Sequence, residues 1–129
     1  MRVYNKWHLM IKQELKKMNL THPQFVVLAS LAYLSQNGNE VTQIMISKLS
    51  GIDVMTVSQI LGLLEKHNFV KRKEHSWDTR AKAVTLNKKG EEILQKAVPL
   101  IEQIDEFFFG KLDNDEEQFK HFLVSLNEE

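Results

Sequence analysis

Cysteine is absent from the 129 residues, so the chain has no disulfide, no thiolate metal ligand and no thiol with which to sense oxidants. With only 5 glycines, it has no glycine-rich loop to cradle a phosphate. No apolar run approaches the roughly 20 residues a membrane-spanning helix needs. The opening MRVYNKWHLM has neither a continuous apolar block nor a small-residue cleavage site, so no secretory signal is read there. A cytoplasmic protein without a membrane partner is expected. No serine stands beside a histidine and an acid in a nucleophile setting. His8, His22, His67, His75 and His121 include no pair at i and i+4, so no metal site is written into one helix. No enzyme, metal or cofactor is expected.

Net charge is missing too, with 17 basic and 17 acidic side chains, but its distribution is uneven. Residues 66–90 carry 8 basic and 2 acidic side chains, whereas residues 91–129 carry 3 and 11. A basic island inside a neutral chain suggests a polyanion-binding surface held apart from an acidic, solvated one. The remaining composition, 43% hydrophobic and 26% charged, is that of a globular protein. A chain of this length makes one domain that buries about two thirds of its unfolded surface.

Helical periodicity places Trp7, Met10, Ile11, Leu15 and Met18 on one side of a first helix ending near Asn19. LTHPQF then reads as a helix start: Thr21 caps, Gln24 completes a capping box, Leu20 staples to Phe25, and Pro23 falls in the first turn. This second helix stops near Asn37 and Gly38. Thr42 opens a short third helix closed by Gly51 in a left-handed conformation. After Ile52, Asp53 caps a fourth, over 53–68. Two helices joined by a short glycine-containing turn form a candidate helix-turn-helix. In the fourth helix Val57, Ile60, Leu61 and Leu64 face the core. The opposite stripe is Met55, Gln59, Gly62 and Lys66, flanked by Thr56 and Ser58. Such a stripe suits base-edge reading, with Gln pairing to adenine and methyl groups meeting thymine methyls, although no Arg or Lys lies in its first two turns.

FVKRK and KAVTLN read as two strands with Phe69, Val70, Val84 and Leu86 as their apolar residues, making a wing over 70–87 with a long tip. At that tip Asp78 could orient Arg80 for a minor groove by a charge-assisted pair. From Asn87, a plausible cap, a long helix carries Ile93, Leu94, Ala97, Leu100, Ile101, Ile104, Phe107 and Phe108, kinked at Pro99. A last helix from Asp113 or Asn114 places Phe119, Phe122, Leu123 and Leu126 on one face. These terminal helices are too apolar for one small winged domain, so a second copy of the chain is the expected partner.

LTHPQFVVLASLAYL, VTQIMISKLSGIDVMTVSQILGLLEKHNFVKRK and DTRAKAVTLNKKG together resemble the MarR family of bacterial transcriptional regulators over roughly residues 20–112. The distinctive part is the wing's Asp-x-Arg, here Asp78 and Arg80, followed by a strand and a helix start reading Leu86, Asn87, Lys88, Lys89, Gly90. Asn87 replaces the usual Thr, and caps equally well. The resemblance implies a mainly α fold with a small β-hairpin, a single domain over 1–129. In it, 20–90 form the winged lobe, while 1–19 and 91–129 form dimerisation helices. It implies a homodimer that places the fourth helix in the major groove of double-stranded DNA and the wing tip near the minor groove. Repression through a pseudo-palindromic operator, relieved by a small-molecule effector, is the common family behaviour. The DNA-facing set is Thr42, Gln43, Met55, Thr56, Ser58, Gln59 and Lys66 on the helices, with Lys73, His75, Ser76, Asp78, Arg80 and Lys82 on the wing. An effector crevice between the first, second and fifth helices would draw on Trp7, His8, His22 and Phe25. The alternative is a winged-helix module that binds a protein partner without specific DNA recognition, motivated by neutral charge and by Ile44 and Met45 where polar residues are more usual.

Overall fold

The structure, a computed structural model, describes residues 2–36, 38, 40–74 and 82–109, and within them the side chains of 5–36, 38, 40–73 and 82–107. Asn37, the wing tip with His75, Ser76, Asp78 and Arg80, and the last helix expected from Asp113 or Asn114 lie outside the described residues. The elements run α1 (Arg2–Lys16), α2 (His22–Ser35), β1 (Val41–Thr42), α3 (Gln43–Ser50), α4 (Val54–Lys66), β2 (Val70–Glu74), β3 (Lys82–Leu86) and α5 (Lys88–Phe109).

The helix boundaries follow the local signals. Thr21 Oγ1 accepts from the Gln24 N–H at 3.2 Å and Gln24 Oε1 accepts from the Thr21 N–H at 3.1 Å, a complete capping box with Pro23 in the first turn. Asn19 takes a left-handed φ of 59°, and the Leu20 N–H reaches back to the Leu15 carbonyl at 2.9 Å, closing α1. Asn68 repeats this device after α4, with φ 65° and the Phe69 N–H on the Leu64 carbonyl at 3.0 Å. The first helix starts at Arg2, earlier than the apolar period suggested.

Helix α2 touches α1, α3, α4, α5, β1 and β3, and is the post around which the rest packs. Its Val27, Leu28 and Leu31 are fully buried, as are Ile46 of α3 and Val57, Leu61 and Leu64 of α4. Each such aliphatic side chain contributes about 1.5–3 kcal/mol by leaving water. The wing is larger than a hairpin. β1 adds to it, giving an antiparallel sheet in the order β1-β3-β2 with Val41 opposite Val84 and Arg72 opposite the same Val84. Two residues are too few to show an alternating pattern, which is why β1 was not legible in the sequence.

The start of α5 is set by a close approach. The Asn87 N–H donates to the Phe69 carbonyl at 2.9 Å, its side-chain amide donates to the Asn68 carbonyl at 3.2 Å, and its own carbonyl accepts the first helical bond, from Glu91. Asn87 thus holds the cap position while its side chain ties α5 to the end of α4. Gly90 packs against that junction: a Cβ there would collide with the Phe69 carbonyl oxygen and lie 2.8 Å from Leu86 Cδ1. α5 continues through Pro99 to Phe109. No single described helix is long and apolar enough to cross a membrane.

Candidate nucleic-acid interface

The turn between α3 and α4 consists of Gly51, Ile52 and Asp53, and the two helix axes differ by 111° across it, within the range of a helix-turn-helix. Gly51 makes the reversal with φ 77°, its N–H bonded to the Ser47 carbonyl at 3.0 Å. Ser47 Oγ donates to the Ile52 carbonyl at 2.6 Å and Ser50 Oγ accepts from the Ile52 N–H at 3.2 Å, so side chains of α3 satisfy the backbone of the turn. Thr42 Oγ1 caps α3 by accepting from the Met45 N–H at 3.2 Å, and Asp53 caps α4 by accepting from the Thr56 N–H at 3.0 Å. The Thr56 hydroxyl also donates to Asp53. These two bonds from Thr56, the hydroxyl first, hold the Asp53 carboxyl below its usual range.

Four residues expected to face a nucleic acid are therefore at least partly engaged within the fold. Thr42 and Thr56 serve the caps. Gln43 and Ser58 are drawn to Arg72, whose place in the site the sequence reading missed. Arg72 Nε donates to Glu65 Oε1 at 2.7 Å, and Nη2 lies 2.7 Å from the same oxygen. Nη1 donates to Gln43 Oε1 at 2.9 Å, to Ser58 Oγ at 3.1 Å and to the Ser58 carbonyl at 3.2 Å. One guanidinium from the wing thereby fixes the end of α3 and the middle of α4 together. The Arg72 side chain is 16% exposed and that of Glu65 35%. In the sequence Arg72 is one of three consecutive cations; only the strand period, placing Lys71 and Lys73 on the other face, could have separated it. The outer stripe of α4 also ends sooner than expected, because Gly62 lies beneath Arg72, with Nη2 3.6 Å from where a Cβ would stand.

The end of α4 nearest the turn remains open. Met55 is 74% exposed and Val54 43%, and Gln59 is exposed. Lys66 is exposed at the opposite end of the helix, about 16 Å along the axis from Met55. On the wing, Lys71, Lys73 and Lys82 are exposed, while Lys89 lies over the Phe69 ring at 5.4 Å. Ile44 is half exposed and Met45 half buried.

The residues expected around an effector divide. Trp7, His8 and His22 meet at the junction of α1 and α2, with ring centroids 6.3 Å apart for Trp7 and His22 and 5.3 Å for His8 and His22. Trp7 Nε1 ties this cluster to α5 by donating to Asp105 Oδ1 at 2.7 Å. Burial pushes the His22 pKa down, the neighbouring His8 adds to this, and Asp105 opposes it. Phe25 belongs to the core.

Residues 16–104 match the model of the ArnR1-like winged-helix domain. The chain is 34% identical over 122 residues to the uncharacterized HTH-type transcriptional regulator YdcH of Bacillus subtilis, covering 95% of this chain and 80% of that protein. Among solved structures it superposes on Bordetella bronchiseptica BpsR, whose DNA binding is regulated by 6-hydroxynicotinic acid. That match has a TM-score of 0.81, 27% identity, and coverage of 96% of this chain and 86% of that one. It also superposes on Staphylococcus aureus MepR in complex with DNA, with a TM-score of 0.84 and 25% identity over 97% of this chain and 90% of that one.

Proposed function

Because the chain belongs to the MarR family of winged helix-turn-helix transcriptional regulators and is a DNA-binding regulator, we propose that two copies of it grip one pseudo-palindromic duplex and repress transcription. Each copy places helix 53–68 in the major groove and wing 70–87 along the backbone, with Arg80 reaching toward the minor groove and Asp78 orienting it. One observation carries this reading: Val54, Met55 and Gln59 are exposed toward the turn-proximal end of α4, and the Arg72 cluster ties that helix to the wing through Ser58 and Glu65 and to α3 through Gln43. The exposed Lys71, Lys73 and Lys82 supply the phosphate attraction that α4 lacks. His75 and Ser76 extend the same wing, and Thr42, Gln43, Thr56 and Ser58 hold the helices at the angle the groove requires.

The dimer is built from 1–19 and 91–129, leaving 20–90 as the winged lobe. In support, α1 and α5 pack side by side and form a groove of about 260 Å³ lined by Met10, Glu14, Leu100, Gln103, Ile104 and Phe107, and Leu9 of α1 and Phe107 of α5 are about half exposed. A small effector relieves repression from the α1–α2–α5 junction. The aromatic cluster of Trp7, His8 and His22 and the regulation of BpsR by 6-hydroxynicotinic acid support that part.

The test is a fluorescence anisotropy titration of the purified protein against duplexes from the DNA flanking its own coding region, repeated over a range of salt. A dimer that binds one such duplex with a steep log–log salt slope is expected, and Arg80→Ala or Lys73→Ala should lower the slope by about two units each, one contact being lost from each copy. Absence of duplex binding at low salt overturns the proposal.

A further inference from the structure

The internal bonds of the site limit what α4 has for reading bases. Among its early polar side chains, Thr56 donates its hydroxyl to Asp53 and Ser58 is held by Arg72. The guanidinium that reaches α4 is committed to Glu65, Gln43 and Ser58, so it offers no fork to guanine. In the first two turns of α4 the exposed side chains are Val54, Met55 and Gln59. Two of these three have no hydrogen-bonding hydrogen to give and only a weak acceptor, the Met55 thioether.

The major groove presents one apolar feature, the C5-methyl of thymine; guanine requires a donor, and the cytosine amino group requires an acceptor. We propose that Val54 and Met55 form an apolar tip that selects thymine methyl groups, with Gln59 reading adenine beside them, so that the protein prefers A·T-rich half-sites. Met55 and Gln59 are one helical turn apart, about 6 Å along the axis, so both readings fall within about two base-pair steps. Cation contacts to guanine are replaced by burial of hydrocarbon against hydrocarbon. That exchange makes the choice of bases insensitive to salt, while overall affinity stays salt-dependent through the wing. This inference rests on the reading that α4 enters the major groove.

The experiment starts from duplexes selected out of a random pool by the purified protein. Each thymine of the selected half-site is then replaced by deoxyuridine, which keeps every hydrogen-bonding group and deletes only the methyl. At one or two positions per half-site, uracil should weaken binding about fourfold per methyl, and about fifteenfold when both half-sites are changed. In Met55→Ala the penalty at one of those positions should shrink to less than twofold. Equal salt slopes for Met55→Ala and the parent protein will show that the variant is folded and still engages phosphates. Equal affinity for thymine and uracil at every position overturns the proposal while leaving groove binding intact, as does selection of G·C-rich half-sites. Failure to bind any duplex at low salt removes the groove reading and this inference together.

Discussion

Replacing Arg72 by Met keeps most of the aliphatic stem on the sheet and removes the guanidinium, deleting the ion pair to Glu65 and the bonds to Gln43 and Ser58. Removing one partner of a fully buried ion pair costs about 3–5 kcal/mol. Glu65, 35% exposed, recovers part of its hydration, and the Ser58 carbonyl keeps its place in the helical ladder, which together bring the expected cost to about 2–3 kcal/mol. For a chain of this length each kcal/mol lowers the melting temperature by about 3–4 °C, so a fall of roughly 6–12 °C is expected at fixed protein concentration. Thermal unfolding followed by circular dichroism measures it, and a double-mutant cycle with Glu65→Gln should return a coupling of about 1–2 kcal/mol. The salt slope of DNA binding should not change, because Arg72 neutralises Glu65 and not a phosphate. A melting temperature within 2 °C of the parent, with additive single changes, would refute the energetic reasoning. A slope lowered by about two units, one contact from each copy, would show instead that Arg72 touches the DNA backbone.

Two glycines inside helices should respond with opposite sign. Gly62→Ala meets only the Arg72 guanidinium at ordinary contact distance and should gain up to about 1 kcal/mol of helix propensity. Gly90→Ala drives a Cβ into the Phe69 carbonyl and should lose about 1–3 kcal/mol despite the same propensity gain; urea midpoints that move in the same direction would count against this. The Asp53 carboxyl, held low by Thr56, stabilises the fold above the ordinary carboxylate range, and that stability is lost as pH falls through it toward the lowered folded value. Asp53→Asn keeps a capping oxygen and should show a smaller loss of stability between roughly pH 5 and pH 3; an identical acid profile would show that the cap carries no charge dependence. His22, pushed down by burial, resists protonation in the folded state, so its contribution is full above the ordinary imidazole range and declines as pH falls through about 6.5. His22→Gln should therefore flatten the stability profile between pH 7 and pH 5, and a profile as steep as the parent's would overturn the assignment.

Much of the lobe was legible because its signals are local. Thr21 with Gln24, Thr42, Gly51 and Asp53 do in the structure what their types and spacing indicate, and Val57, Ile60, Leu61 and Leu64 fill the core as the helical period requires. The DNA-facing set was only partly legible. Met55 and Gln59 are open as expected, whereas Ser58 and Gln43 are taken up by a residue 14 and 29 positions away, respectively. No pattern of types along the chain carries that information, since an arginine in a basic strand looks the same whether it meets a phosphate or a glutamate.

The amino-acid sequence by itself determined the capped helix boundaries from Asn19 to Asp53, the apolar faces, the location of the basic wing and the resemblance that leads to the family, because capping, periodicity and left-handed turns depend on neighbours a few residues apart. Only the tertiary structure decided that β1 completes the sheet, that Gly90 is required by the approach of α5 to Phe69, and that Arg72 is a clamp. Each of these is a contact between distant segments, governed by how closely two backbones approach and which buried charge finds a partner. That division leaves Val54 and Met55 exposed at the turn-proximal end of α4.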